Sequence, residues 1–280
     1  MTRRFRLVDV FGERPLRGNP LAVVVDSTGL STEEMLELTR WLGFSETAFL
    51  LEPSTGDADY RVRIFTLAGE LPFAGHPTLG SCHVWRDITG ATAEEAVQDC
   101  GAGLVMLRAT DDMVSFQAPP LLREGPIPES EVGALAHVLG IDPGEVVAAR
   151  WVDNGPGWAG IRLADAEAVL SLQPDFGRNS SGEKLDIGVV GFYPDGHDYR
   201  YELRAFFSAE RGEMREDPVT GSLNASVAQW MLEEGLVQTP YLARQGTALG
   251  RAGRVTITGD KTSVWVGGRV FGLVSGELDF

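Results

Sequence analysis

The chain has 280 residues, of which 43% are hydrophobic, so it is long enough for one large or two modest domains with a substantial core. Its formal net charge of −16 argues against a nucleic-acid or anionic-membrane partner, because phosphate binding requires clustered Lys and Arg. Its two cysteines, Cys82 and Cys100, cannot build a disulfide framework, and a reducing cytoplasm is expected.

The N-terminal stretch MTRRFRLVDVFGERP has arginines without a long apolar run behind them, so no signal peptide is expected. No apolar run has the length needed to span a membrane. The alternation of apolar and polar residues over 5–11 predicts a strand, and GNPLAVVVD at 18–26 predicts a turn and a second strand. A capping box that starts at Ser31 predicts a helix that ends at Gly43.

Further elements follow in chain order. Strands are predicted at about 45–51, 60–66, 103–108 and 112–117, with a helix that starts at Pro77. The Pro-rich stretch APPLLREGPIPE, residues 118–129, is interpreted as a linker. Beyond it we expect a helix at about 129–139, a long helix from Pro218 to about Glu234, and short strands from about 252. The predicted domains are therefore 1–117 with about 268–280, and 118–267.

The chain carries an internal repeat. When the sequence is shifted by 141 positions without gaps, nine of the 37 residues from Ser45 to Ser81 are identical to their partners. Average composition gives roughly two identities by chance. The identical pairs include Tyr60/Tyr201, Arg63/Arg204 and Pro77/Pro218. The repeat predicts a strand–strand–turn–helix unit that is present twice.

In this frame His76-Pro77 is matched by Asp217-Pro218, which predicts a polar N-cap and a proline at the first helical position in both copies. Both helices are apolar nearly all round and should be buried. We therefore expect an α+β fold of two pseudo-symmetric lobes, each a β-barrel-like sheet wrapped around a central helix. Pseudo-twofold packing would bring both helix N-termini to one cleft, where they would bind an anion such as a carboxylate.

The same frame exposes an asymmetry between the copies. Glu46 is matched by Ile187, so one copy has a carboxylate where the other has an aliphatic side chain. Glu46 begins a strand that is apolar on both faces, which should desolvate the carboxylate and raise its pKa toward the range useful for proton transfer. A single carboxylate suits removal and return of a proton on one face of a substrate.

Each candidate also has a purely structural interpretation. Glu46 could be an exposed acid at a strand end, and His76 and Asp217 could be ordinary helix caps. His83, His137 and His197 show no ligand spacing, so no metal site is predicted. The two cysteines are interpreted as ordinary buried thiols.

Five stretches of this sequence resemble the PhzF family, the phenazine-biosynthesis-like isomerases related to diaminopimelate epimerase. They are distributed over both halves of the chain. They are GNPLAVVVD at 18–26, SETAFL at 45–50, RIFT to ELPFAGHPTLG at 63–80, DNGPGW at 153–158, and EDPVTGS at 216–222. The resemblance implies the diaminopimelate epimerase-like fold for essentially the whole chain.

The resemblance also implies roles for particular residues. Glu46 matches the family's catalytic acid/base, and His76 and Asp217 match a polar pair that lines the cleft between the lobes. The residues expected around the substrate carboxylate are Ser45, Gly75, Gly221 and Ser222, with Asn19 and Thr220 as further substrate-binding residues. The implied reaction moves a proton between carbons of a small carboxylate-bearing substrate, such as trans-2,3-dihydro-3-hydroxyanthranilate. The resemblance implies no metal or organic cofactor, and a cytoplasmic homodimer.

Three features depart from the family pattern: Leu67 after Thr66, the stretch Ser208–Asp217, and the segment Phe176–Glu183. They leave the substrate open. An amino-acid epimerase on the same fold is one alternative function, but it needs two facing bases, and neither cysteine lies at a predicted helix N-terminus. A non-catalytic binding protein that retains the fold is the other alternative.

Overall fold

A computed structural model describes residues 2–110, 113–178, 184–208 and 214–279. The chain divides into two compact units. Unit 1 comprises Met1–Gln117, Ala252–Arg254 and Trp265–Phe280, and unit 2 comprises Ala118–Arg251 and Val255–Val264. The departures at Phe176–Glu183 and Ser208–Asp217 lie partly outside the described residues, which omit 179–183 and 209–213.

The described residues of unit 1 form two helices and, apart from the last strands of the chain, eight strands. These elements are β1 Thr2–Val10, β2 Asn19–Val24, α1 Thr32–Leu42, β3 Glu46–Leu51, β4 Tyr60–Thr66, β5 Glu70–Leu71, α2 Gly75–Thr89, β6 Glu95–Cys100, β7 Gly103–Ala109 and β8 Val114–Gln117. Helix α1 has the predicted capping box at Ser31 and ends at Gly43 in the left-handed conformation that glycine tolerates best. The strands predicted for this unit are confirmed to within three residues, whereas β5 and β6 were not predicted.

The described residues of unit 2 form strands and three further α-helices. They are β9 Arg123–Pro126, α3 Glu129–Leu139, β10 Ala148–Asp153, β11 Trp158–Arg162, α4 Ala166–Ser171, β12 Asp186–Phe192, β13 Tyr201–Ser208, β14 Met214–Asp217, α5 Gly221–Glu233 and β15 Tyr241–Gln245. The last strands of the chain are β16 Gly253–Asp260, β17 Ser263–Gly268 and β18 Val270–Asp279. Short 3₁₀ turns lie at Pro143–Glu145, Phe176–Arg178 and Thr247–Leu249.

The strands of unit 1 surround helix α2. Strand β1 is antiparallel to β18 and β2, and β2 is parallel to β3. Strand β3 is antiparallel to β4, which also pairs with β5 and β6. Helix α2 packs against β1, β2, β3, β4, β6, β8 and β18, and its first eight residues are buried. At Gly80, where the helix meets Leu21, a side chain would have no room. An apolar cluster with Phe49 and Phe65 packs under α1 on the other face of the sheet.

Unit 2 repeats this arrangement. Strand β11 is parallel to β12, β12 is antiparallel to β13, and β13 pairs with β14 and β15. Helix α5 is buried along most of its length and packs against β10. Its Leu223 lies where a side chain at Gly188 of β12 would be, so this glycine permits the close approach of helix and strand. A second apolar cluster, which includes Ile187 and Phe206, packs under α3 and α4.

Two sequence predictions about these elements are wrong. The 118–129 linker contains strand β9, which pairs with β10. Both central helices begin at a glycine, with Ala74 and Thr220 as N-caps that make no side-chain capping bond. His76 is therefore the second residue of its helix, and Asp217 is the last residue of strand β14. Neither residue is an N-cap, because the backbone becomes helical at the small glycine in each copy.

At the start of the repeat, the strand pairing gives an alignment of the two units that differs by one residue from the ungapped alignment. Glu46 pairs with Thr66 in unit 1, and Asp186 pairs with Phe207 in unit 2. Because Thr66 and Phe207 are 141 positions apart, the structural counterpart of Glu46 is Asp186, and the predicted match to Ile187 is wrong. Side chains alternate across a strand, so a slip of one residue places Ile187 on the opposite face.

The frame shifts again at the turn before each central helix. Arg63 donates two hydrogen bonds to Glu70, at 2.7 and 2.6 Å. Arg204 donates two in the same way to Glu216, at 2.9 and 2.8 Å. The arginines are 141 positions apart and the glutamates 146, so the second turn is longer by five residues.

The longer turn changes which residues correspond around the helix N-termini. After it, ELPFAG at 70–75 aligns with EDPVTG at 216–221, and each stretch leads into its central helix. Asp217 is the counterpart of Leu71, and His76 is the counterpart of Ser222. The predicted match of His76 to Asp217 is therefore wrong. Pro77, Gly80 and Ser81 are identical to Pro218, Gly221 and Ser222 only in the ungapped alignment. These pairs do not occupy equivalent positions in the two units.

None of the helices that the structure describes is long and apolar enough to cross a membrane.

Candidate functional site

Three of the predicted site residues meet in unit 1. Asn19 begins β2, Glu46 begins β3, and His76 lies in the first turn of α2. The Asn19 Nδ2 atom lies 3.3 Å from His76 Nδ1, and His76 Nε2 lies 3.7 Å from Glu46 Oε2. Because β2 and β3 are parallel neighbours, both polar groups enter from the same end of the sheet. The imidazole therefore stands between an amide and a carboxylate.

His76 is a neutral imidazole. Its residue is 2% exposed, and burial lowers its pKa from 6.5 to about 3. The contact between His76 and Glu46 is therefore not an ion pair at neutral pH, even though it joins a basic and an acidic residue. At 3.7 Å it is also too long for a hydrogen bond.

The amide of Asn19 determines which imidazole nitrogen carries the proton. An amide nitrogen can only donate, so His76 Nδ1 accepts and the proton of the neutral ring lies on Nε2. His76 Nε2 is buried and makes no hydrogen bond to the described residues. The ring thus presents an N–H donor on the side of Glu46.

Glu46 is partly buried, with a side chain that is 16% exposed. The interpretation of Glu46 as an exposed acid is therefore wrong. Ser45, immediately before it, is half-buried. Gly75 is the first residue of α2 and is buried. Since no acidic side chain lies in the first turn of α2, its helix dipole favours negative charge at this end.

The predicted site residues of unit 2 form a separate hydrogen-bonded group. Thr220 Oγ1 donates to Asp217 Oδ2 at 2.6 Å. The Thr220 amide donates to Gln245 Oε1 at 2.9 Å, and Gln245 Nε2 donates to the Asp217 carbonyl at 3.1 Å. Asn224 Nδ2 donates to the same Gln245 oxygen. This group fixes the backbone between the end of β14 and the start of α5.

Ser222 is held by the DNGPGW stretch. Trp158 Nε1 donates to Ser222 Oγ at 3.1 Å, and Asn154 Nδ2 donates to the Ser222 carbonyl at 2.8 Å. Both donors lie in the DNGPGW stretch that carries the family resemblance, but neither was predicted to be a site residue. Gln245 also escaped prediction, because it is distant along the chain from the motif that it supports and no pattern marks it.

One buried carboxylate at the start of a strand was not predicted as a site residue. Asp186, at the start of β12, is 6% exposed. Its Oδ1 accepts from the Ser208 amide at 3.2 Å, and its Oδ2 lies 3.0 Å from Lys184 Nζ. Burial raises the pKa of Asp186, and Lys184 opposes that shift. The ungapped alignment concealed this residue because it placed Ile187 opposite Glu46.

The cysteines lie away from both groups. Cys82 is in the body of α2, and burial raises the pKa of its thiol to about 12. Cys100 ends β6, and burial raises its pKa as well. Neither thiol is activated as a nucleophile or base. Among the described residues, no three His, Cys, Asp or Glu side chains lie close enough together to hold a metal ion.

Comparison with known proteins gives matches along the whole chain. The family described as phenazine biosynthesis-like protein, PhzC-PhzF, matches residues 8–274. Antisense-enhancing sequence 1 of Schizosaccharomyces pombe is 35% identical, over 98% of this chain and 97% of its own. Trans-2,3-dihydro-3-hydroxyanthranilate isomerase of Pseudomonas aeruginosa is 32% identical, over 90% of this chain and 88% of its own.

A solved structure confirms the fold class predicted from the sequence. The crystal structure of a phenazine biosynthesis protein of the PhzF family from Enterococcus faecalis covers 100% of both chains. Its TM-score is 0.79 at 25% sequence identity. The chain therefore has the same overall fold as this member of the PhzF family.

Proposed function

The chain belongs to the phenazine biosynthesis-like family, PhzC-PhzF, and is an isomerase of that family; we propose that Glu46 is its acid/base. The observation that carries the proposal is the placement of a partly buried carboxylate beside a neutral, donor-presenting imidazole at the N-terminus of a buried helix. These are the parts that a proton transfer at carbon requires.

In the proposed reaction, the Glu46 carboxylate takes a proton from one substrate carbon. The electron pair of the broken C–H bond enters the substrate's conjugated system. The resulting carboxylic acid then returns the proton to another carbon, so atoms and charge balance without a co-reactant. The Glu46 side chain is 16% exposed, so most of it is shielded from water while part of it stays accessible to a substrate.

His76 has the complementary role. The neutral ring offers its Nε2–H to negative charge that develops on the substrate as the proton leaves. A neutral donor suits this task because it does not bind the Glu46 carboxylate as an ammonium or imidazolium would. His76 therefore does not hold Glu46 in an ion pair.

The substrate class that we propose is a small conjugated carboxylate. The relative from Pseudomonas aeruginosa is named for trans-2,3-dihydro-3-hydroxyanthranilate, which is the first candidate. In unit 2, the backbone amides of Gly221 and Ser222 lie at the N-terminus of α5, which suits a carboxylate. Whether both helix N-termini serve one substrate stays a prediction, as do the homodimer, the cytoplasmic location and activity without a cofactor.

An amino-acid epimerase is the second candidate. The observation that favours it is Asp186, a buried carboxylate at the position in unit 2 that corresponds to Glu46. Two bases would allow a proton to leave one face and return to the other. Asp186 is already engaged by Ser208 and Lys184, which favours the one-base reaction.

A turnover and binding assay tests the proposal. Purified chain is incubated with the candidate substrate in the presence of EDTA, and binding of the product is measured in parallel. We expect turnover by the wild type, and almost none by Glu46→Gln although the variant still binds product. Asp217→Asn should lose less turnover than Glu46→Gln. Full turnover by Glu46→Gln would rule out Glu46 as the acid/base.

A further inference from the structure

The amide of Asn19 is the polar group that contacts the far side of the His76 ring. Asn19 is fully buried, and its Nδ2 lies 3.3 Å from His76 Nδ1. The side chain therefore acts on the imidazole from the side away from Glu46. This contact suggests a more specific role than the substrate binding predicted from the sequence.

The backbone that carries Asn19 is held in place by a buried carboxylate. Asp9 of β1 is 1% exposed, and its oxygens accept the amides of Arg17 and Gly18 at 3.0 Å. A side chain at Gly18 would collide with the carbonyl of Val10, so the turn is tightly packed. Asn19 then enters β2 opposite Val10. The backbone on both sides of the turn is thus held in place, and the buried Asn19 side chain extends from it to the ring.

We propose that Asn19 is a positioning residue that keeps the His76 proton on Nε2. With Nδ1 occupied by an N–H donor, the ring cannot hold its proton there without losing that hydrogen bond. A hydrogen bond of this kind favours the state that makes it by roughly fivefold. The proposal rests on the proposed function for its catalytic meaning, but the tautomer itself can be measured without a substrate.

The opposite tautomer would reverse the electrostatics beside Glu46. A lone pair on Nε2 would face the carboxylate, and the ring could no longer donate to an anionic intermediate. Asn19→Asp has nearly the same shape but can only accept, so it should draw the proton to Nδ1. Asn19→Ala removes the preference without reversing it.

The test is ¹⁵N NMR of the full-length chain labelled at histidine. Nitrogen shifts distinguish protonated from unprotonated ring nitrogens, and His76→Phe identifies the His76 signals. In the wild type at neutral pH we expect Nε2 protonated and Nδ1 unprotonated. Asn19→Asp should protonate Nδ1, and Asn19→Ala should give intermediate shifts. His83, on the same helix α2, is an internal control whose signals should not change.

Two results would overturn the proposal. One is a wild-type spectrum with the proton on Nδ1, which decides the matter even if a variant fails to fold. The other is a folded Asn19→Asp variant whose His76 shifts equal those of the wild type. If turnover is found, Asn19→Asp should lower kcat by at least roughly tenfold with a smaller effect on KM. Correct NMR shifts without turnover on any substrate would count against the proposed function and leave the positioning role intact.

Discussion

The two units share a backbone plan but place different polar groups on it. Each has a parallel strand pair, an antiparallel return strand, an Arg–Glu ion pair and a buried helix that begins at glycine. At the first residue of β3, unit 1 has Glu46 beside a neutral imidazole, and at the first residue of β12, unit 2 has Asp186 beside an ammonium. The same position therefore carries a carboxylate in both units, with different chemistry around it.

The two copies of the repeat therefore differ in the charge of the group that lies beside the corresponding carboxylate. Lys184 holds the Asp186 carboxylate by its charge, whereas the Glu46 carboxylate faces a group without net charge. A carboxylate that exchanges protons needs a partner that does not hold it permanently as an anion. We infer that unit 1 supplies the acid/base and that Asp186 is structural.

The largest effect is expected from a matched pair of substitutions at these two carboxylates. Glu46→Gln should lower kcat by about 10²–10⁴-fold, since it removes the group that exchanges the proton. Asp186→Asn keeps the shape and the hydrogen bond from Ser208, and should cost less than roughly tenfold. The measurement is kcat and KM on the same substrate. Equal losses in both variants would support two bases and the epimerase.

The next largest effect is expected from two histidines on one helix. His76→Phe removes the donor beside Glu46 and should lower kcat by roughly 10²-fold, in line with the loss of one donor to a developing anion. His83→Phe, at the other end of the buried stretch of α2, should leave kcat within about threefold of the wild type. A similar loss from both would indicate that helix packing, and not the donor, was measured.

Much of the comparison between units could be predicted from the sequence. Tyr60/Tyr201 and Arg63/Arg204 mark strands that do correspond, and the ETAFLL and RIFT stretches form the strands predicted for them. The equivalence at the site could not be predicted. The structural alignment of the two units slips by one residue before β4, and unit 2 has five extra residues before β14. These shifts do not remove the identities in the ungapped alignment, but they change which side chains occupy equivalent positions in the two units. Only strand pairing reveals Asp186.

The site residues divide in the same way. Glu46 and His76 were found from sequence strings and do lie together. The roles of Gln245, Trp158 and Asn154 depend on hydrogen bonds between residues distant along the chain. No periodicity in the local sequence encodes such contacts. The roles of these residues could therefore be identified only from the structure.

The third prediction compares the two Arg–Glu ion pairs by stability. The side chains of Arg204 and Glu216 are 6% and 10% exposed, and those of Arg63 and Glu70 are 19% and 38% exposed. Glu216→Gln should destabilise the chain by about 3 kcal/mol, because it leaves the buried Arg204 guanidinium without its anionic partner, bonded to neutral acceptors such as the carbonyls of Val169 and Leu172. Glu70→Gln should cost about 1 kcal/mol or less. Chemical denaturation measures the free energy of unfolding of both variants. A larger loss of stability in Glu70→Gln than in Glu216→Gln would contradict the prediction that the more buried ion pair matters more.

The fourth prediction concerns acid. The pKa of His76 is about 3 in the folded chain and 6.5 ordinarily, so between these values the unfolded chain binds the additional proton. The contribution of neutral His76 to stability is full above pH 6.5 and falls as the pH drops. The stability advantage of the wild type over His76→Phe should decrease by up to about 1.4 kcal/mol per pH unit below that value. A constant difference from neutral to mildly acid pH would show that His76 is not held neutral.

The smallest effect is expected at the cysteines. Cys82→Ala and Cys100→Ala should leave kcat within about twofold of the wild type, because neither thiol is ionised or placed at a helix N-terminus. The assay is turnover before and after treatment with a thiol-alkylating reagent. Loss of activity in either variant, with the fold retained, would restore the cysteine-based epimerase as an explanation.

The central claim is that Glu46 carries a proton from one carbon of the substrate to another. Solvent deuterium incorporation tests it most directly: the chain is incubated in D₂O with trans-2,3-dihydro-3-hydroxyanthranilate, cyclic dienyl acids and small amino acids, and NMR locates the label. The partly exposed Glu46 acid should exchange its proton with D₂O before it protonates the new carbon. We therefore predict deuterium at a new carbon of a conjugated acid with the wild type, the same pattern at a lower rate with Asp186→Asn, and no label with Glu46→Gln. Deuterium at the carbon that lost its proton, with inverted configuration and dependence on both carboxylates, would contradict the account.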